Sequence, residues 1–418
     1  MSRDIPKLST IEEKISEHTK KFHEVDGEII RLKNRVGFLE TGSNIREALA
    51  PVPSEDIPVS TPTSSSRYKN FFMNMYHYFK TPNAVQFLNG KWVFDPRMLA
   101  ALRKYKGIRF LDWQEIVDNP ISNWDERPMP EDNYLKVGVP LEACVELCNQ
   151  TGCDGWFIIP PRYKQSWLEG FSNLIAKQVL EKGMINHTIV ELSNEVWHRN
   201  SWEKAKAGGW PEYWDFHRTR MLNAFKFLKE QHGIHITTVF SGQHDSIGLI
   251  KRNGLAEMTS TEIDYIDAIA TAPYSGLGRD YIQDLHASRS YNTLEATNRY
   301  LDLIEESLGI VTDYTILANA HGIRYLAYEY NQHLAAFDPS TVQDSKLVEF
   351  LAKLAQTQPI LDEQINFMER WNSLTNNGIL ARYAAAGDVD NWGNWPDLYP
   401  DWSPRPIAQL MERTFLAS

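Results

Sequence analysis

Apolar residues recur through residues 8–40 at intervals of seven. Leu8, Ile15, Phe22, Ile29 and Val36 form one series; Ile11, His18, Val25, Leu32 and Leu39 form another, offset by three. Together they make a five-heptad seam with one polar member, His18, and predict a coiled coil. In that register Lys21, Glu28 and Arg35 face Asp26, Lys33 and Glu40 across a parallel interface, opposite charges in every pair. Thr10 and Glu13 offer a capping box at its start. The competing reading is a single amphipathic helix packed on its own domain. The matched charges favour the coiled coil, and Phe22 together with isoleucine at both kinds of seam position points to a homotrimer rather than a dimer. The pattern therefore predicts an oligomerisation stem over residues 1–42. Pro51, Pro53, Pro58, Pro62 and the run Ser64-Ser65-Ser66 then mark a linker over 43–67.

Residues 68–418 alternate short apolar runs with longer helical stretches, the signature of a parallel α/β fold. Strands are expected at Asn70–Met75, Gly107–Asp112, Gly155–Pro160, Thr188–Ser193, His235–Ser241, Ala268–Ala272, Tyr325–Tyr328 and Ile379–Ala384. Helices are expected at Leu141–Gln150, Trp167–Glu181, Tyr213–Gln231, Thr293–Leu308, Ser345–Thr357 and Ile407–Phe415. Eight strand–helix units close a (β/α)8 barrel of the TIM type, with its active site at the C-terminal ends of the strands. An open doubly wound sheet is the alternative, but no GxGxxG follows the first strand.

On a barrel, polar groups at strand exits carry the chemistry. The fourth strand delivers Ser193-Asn194-Glu195-Val196-Trp197, and the seventh delivers Glu329-Tyr330-Asn331. Glycoside hydrolysis needs two such carboxyl groups. One protonates the departing oxygen, and the other attacks or stabilises the anomeric carbon. Either glutamate alone reads as a solvated or salt-bridged strand-end residue. Two of them on strands that face each other across the barrel make a pair.

The Ser193–Trp197 string resembles the Asn-Glu acid/base motif of clan A glycoside hydrolases, whose acid/base closes strand four and whose nucleophile closes strand seven. Ala327-Tyr328-Glu329 fits the second position. Arg109, in Ile108–Trp113, resembles the strand-two arginine that supports the nucleophile, and Tyr274 resembles the strand-six tyrosine that hydrogen-bonds it. The stretches Gly138–Glu142 and Asp154–Phe157 are also similar to a subgroup of phage-associated or extracellular members. The resemblance covers the pattern of elements over 68–418. It implies Glu195 as general acid/base, Glu329 as nucleophile and Asn194 as a ligand of the sugar 2-hydroxyl. On that assignment Glu195 is held protonated, while Arg109 and Tyr274 hold Glu329 ionised.

Trp113, Trp156, Trp197, Trp392 and Trp395 fall near strand ends, where each is either a sugar platform or core; the polar loop around Trp392 and Trp395 favours exposure. His244 either lines the cleft or is a satisfied structural histidine. Cys144, Cys148 and Cys153 are too few for a disulfide framework and lack a fourth ligand for zinc, so no metal and no cofactor is expected. A net charge of −11, from 43 basic and 54 acidic residues, disfavours nucleic acid and anionic lipid as partners. No apolar run is long enough to span a membrane, and the first residues lack a signal-peptide core. A polysaccharide-degrading domain on a trimeric stem without an export signal suggests a phage tail fibre or tailspike, located in the virion with tail or baseplate proteins as partners. The rival functions are a non-catalytic carbohydrate-binding receptor and a purely structural virion component.

Overall fold

A computed structural model describes residues 67–75, 84–117, 119–132, 137–176, 187–197, 202–207, 212–232, 236–387 and 395–416. The stem expected over 1–42 and the linker over 43–67, save Arg67, lie outside the described residues. Eight parallel strands close on themselves: β1 (Phe71–Asn74), β2 (Gly107–Arg109), β3 (Asp154–Ile159), β4 (Thr188–Leu192), β5 (Ile236–Ser241), β6 (Ala268–Thr271), β7 (Arg324–Tyr330) and β8 (Leu380–Arg382). β1 pairs with both β2 and β8, which excludes the open sheet. The architecture is a (β/α)8 barrel, and every strand lies within or across a segment expected from the sequence.

Helices wrap the outside: α1 (Pro96–Leu102), α2 (Leu141–Thr151), α3 (Gln165–Ala176), α4 (Glu212–His232), α5 (Thr293–Ala320), α6 (Gln358–Leu374) and α7 (Pro406–Phe415). Local chemistry sets their ends. The Asp95 carboxylate caps α1 at the Arg97 N–H ahead of Pro96, and Asn292 caps α5. The chain leaves α2 through Gly152 at φ 69°, a left-handed conformation that glycine adopts without strain. α5 continues beyond the expected end at Leu308, because Val311, Tyr314, Leu317 and Ala318 extend its buried stripe. Between β5 and β6 the outer layer is short turns over 247–263 rather than one long helix.

Two apolar layers stabilise the barrel. The outer one lies between strands and helices and takes in buried Cys144, Cys148 and Cys153. The inner one fills the barrel with Phe72, Trp156, Ile189, Val239, Leu326 and Tyr328, with Ala268, Ala270 and Ala381 leaving room for the large rings. A Cβ on Gly107 would stand 2.2 Å from the Phe72 ring, so β2 needs glycine there. The β1–β2 register sets Asn74 beside Arg109 one layer above this plug. Among the described residues no helix is long and apolar enough to cross a membrane.

Candidate active site

Side chains of a strand alternate, so the inward series Gly107, Arg109 on β2 and Ile189, Glu191 on β4 carry polar groups to the floor of the barrel mouth. Arg109 is wholly buried there. Its Nε donates to Glu191 Oε1 at 3.0 Å, and Nη2 donates both to the same carboxylate and to Asn194 Oδ1 at 3.1 Å. Nη1 donates to Asn74 Oδ1 at 3.1 Å and to Glu329 Oε1 at 3.0 Å. Five bonds use all five guanidinium N–H groups. The far oxygen of Glu191 accepts from the Ser241 hydroxyl at 2.6 Å.

Glu329 reaches this floor through an irregularity. Tyr328 points inward with the barrel plug, so its neighbour would ordinarily point outward. The β7–β8 register shifts between Ala327 and Tyr330, a bulge that turns Glu329 into the mouth as well. Tyr274, at the exit of β6, donates to Glu329 Oε2 at 3.0 Å. A short parallel pairing of Ser275–Gly276 with Gln332–His333 prolongs β6 and β7 and steadies that exit. Glu195 comes from the opposite side. After β4 the chain takes left-handed conformations at Ser193 (φ 60°) and Glu195 (φ 45°), strained for residues other than glycine and clustered at the site. The Tyr328 hydroxyl then donates to Glu195 Oε1 at 3.1 Å. Burial, with Glu195 and Glu329 nearby, raises the Tyr328 and Tyr274 phenols well above their ordinary range, so both remain donors.

Burial also pushes the Glu329 pKa up to about 8, with Glu195 and Asp112 adding to the rise against Arg109 and Tyr274. The direction is opposite to that expected from Arg109 and Tyr274 alone. The reason is burial, which outweighs the cation and the donated hydrogen bond.

The structure thus brings together Glu195, Glu329, Asn194, Arg109 and Tyr274. Trp395 joins them at the rim, half-buried, its ring stacked on His333 at 5.8 Å and set edge-on to Tyr383. The loop carrying it is tied down: Asn331 donates to the Trp395 and Tyr383 carbonyls, each at 2.6 Å, and accepts from Arg382, which pairs with buried Asp397. Trp197 lies against Tyr328 at 6.5 Å.

Three residues left open by the sequence fall on the structural side. Trp156 is fully buried inside the barrel, under Arg109, and is no sugar platform; it supports the guanidinium through its ring face at 5.6 Å. Trp113 is equally buried, packed beside Phe110 outside the strands. His244 bonds Thr271 and Ser307 and stacks on Tyr314, with its pKa pushed down to about 4 by burial, so it is a satisfied structural histidine. Trp392 lies outside the described residues. The sequence reading missed Glu191, Tyr328, Asn74, Ser241 and His333. Glu191 carried a signal: a charge two places after inward Ile189, inside an apolar strand, must find a buried partner.

No family model matches the chain, and no curated protein matches it. Solved structures do resemble it. Xylanase B from Clostridium stercorarium F9 is 13% identical, with a TM-score of 0.41 over 81% of this chain and 95% of that one. A psychrophilic glycoside hydrolase family 10 endo-β-1,4-xylanase is 9% identical, with a TM-score of 0.41 over 82% and 95%. A family 51 α-L-arabinofuranosidase from Bifidobacterium longum is 11% identical, with a TM-score of 0.49 over 78% and 68%.

Proposed function

We propose that the barrel is a retaining glycoside hydrolase that cleaves a polysaccharide through a covalent glycosyl-enzyme. The observation that carries this reading is the meeting of Glu195 and Glu329 at one barrel mouth, Tyr328 donating to the first and Arg109 and Tyr274 donating to the second. Glu329 attacks the anomeric carbon as a carboxylate while Glu195 gives its proton to the departing oxygen. Glu195 then takes a proton from a water whose oxygen bonds to the anomeric carbon as the bond from that carbon to Glu329 breaks, and Glu329 returns as a carboxylate. Retention requires the two carboxyl groups about 5–5.5 Å apart. The working form carries one proton on Glu195 and none on Glu329. Positive charge growing at the anomeric carbon favours that distribution, because it lies against the Glu329 carboxylate.

Asn194 is fixed by Arg109 through its oxygen, which leaves its N–H2 free to meet a sugar hydroxyl. Trp395 supplies an aromatic face at the rim. A phage tail fibre or tailspike setting, with residues 8–40 as a trimeric stem, is the companion proposal for where such an enzyme works; it rests on the heptads alone. The test is release of reducing ends from a panel of bacterial surface polysaccharides and β-linked plant glycans. Glu195→Ala and Glu329→Ala should abolish release while the fold persists. Undiminished turnover in both variants refutes the assignment, and binding without turnover by the unaltered protein favours a carbohydrate receptor instead.

A further inference from the structure

Glu191 takes no part in the chemistry just described, yet it holds the larger share of Arg109. Two of the five guanidinium bonds go to its carboxylate, one goes to Glu329, and the other two go to the neutral amides of Asn74 and Asn194. Arginine and both glutamates are shielded from water, with side-chain exposures of 0%, 1% and 10% for Arg109, Glu191 and Glu329. One cation therefore serves two buried carboxyl groups, and Glu191 also accepts from the Ser241 hydroxyl.

We infer that Glu191 is a positioning residue that aims the Arg109 fork and withholds its charge from Glu329, and so sets the pH at which Glu329 gives up its proton. Among the described residues, the groups that act most on Glu329 are Glu195 from beyond β4, Asp112 from beyond β2, Tyr274 from beyond β6 and Arg109, the one cation of the four. Three of those four are acidic or weakly acidic. Tyr328, the neighbour on β7, feels Glu195, Glu329, Arg109 and Glu191. Burial outweighs Arg109 and Tyr274 and pushes Glu329 up to about 8. An uncharged group in place of Glu191 turns the whole guanidinium charge towards Glu329 and removes a negative neighbour. Both changes favour ionised Glu329.

This deepens the hydrolase reading by naming what governs its nucleophile, but its test needs no substrate, so it stands or falls separately. The full-length protein is labelled with 13C at the glutamate side-chain carboxyl, and the NMR signal of Glu329 is assigned by its loss in Glu329→Gln. Its titration is then followed in the unaltered protein, in Glu191→Gln and in Glu191→Asp. Glu191→Gln keeps an oxygen for Arg109 and should move the midpoint down by about one pH unit or more. Glu191→Asp keeps the charge and should leave it high. A midpoint unmoved or raised in Glu191→Gln overturns the inference, and so does a fall in Glu191→Asp equal to that in Glu191→Gln. If Glu191→Gln loses its near-ultraviolet circular dichroism, Glu191→Ala carries the same expectation and the same refutation.

Discussion

The Tyr328 hydroxyl donates to Glu195 at 3.1 Å, while the next residue along the same strand, Glu329, accepts from Arg109 at 3.0 Å. Adjacent residues of a regular strand point to opposite faces. Here the bulge between Ala327 and Tyr330 lets both face the mouth, so β7 contacts both members of the carboxyl pair. Tyr328→Phe keeps the ring that packs in the barrel and removes only the donor. It should lower kcat/KM by about 10–100-fold with the melting temperature nearly unchanged. Unaltered kinetics would show that this hydrogen bond does nothing for the acid/base.

Glu329 makes stability depend on pH. Its folded pKa, about 8, lies above the ordinary carboxyl value of 4.5. Below 4.5 both folded and unfolded chains hold the proton, so the contribution is complete. From 4.5 up to 8 the unfolded chain has lost the proton and the folded one retains it, so stability falls as pH rises. The slope is at most about 1.4 kcal/mol per pH unit. Glu329→Gln has no proton to lose. Its melting temperature should gain on that of the unaltered protein steadily across this window, and a constant difference would contradict the account.

Arg109 neutralises a buried site. Arg109→Met leaves Glu191 and Glu329 without a cation, and a cost of about 3–5 kcal/mol in urea melts at pH 7 is expected. Adding Glu191→Leu to that variant removes the stranded charge and should return part of the loss. Strictly additive effects would mean that the two residues do not act as a pair.

The barrel plug depends on Gly107. Gly107→Ala places a methyl group 2.2 Å from the Phe72 ring and should cost about 1–3 kcal/mol. Phe72→Leu in the same chain makes room, so the double variant should be less destabilised than the sum of the two. A sum that holds would place the two residues out of contact.

The barrel was legible because parallel strands buried on both faces are nearly continuous apolar runs, and eight of them stood out between helical stretches. Strand exits were legible for the same reason, which led to Glu195 and Glu329, whereas Arg109 and Tyr274 came from the family resemblance. Facing was harder to read. Trp156 and Trp113 are close to strand exits, yet one lies a layer below the mouth and the other behind the strands; proximity in sequence says nothing of depth. Glu191 was passed over because it sits within a strand rather than at its end, although period-two alternation from Ile189 points it inward. Residues Tyr328 and Glu329 show the limit of pattern reading: alternation alone puts one of them outside, and the bulge that brings both in arises from pairing with β8.

The most direct measurement of the central claim is the anomeric configuration of the first product, followed by proton NMR from the start of cleavage of whichever polysaccharide in the panel is degraded. Double displacement at Glu329 predicts that the sugar released keeps the configuration of the bond that was cut. A first product of inverted configuration would mean that water, not Glu329, attacks the sugar, and would contradict the account.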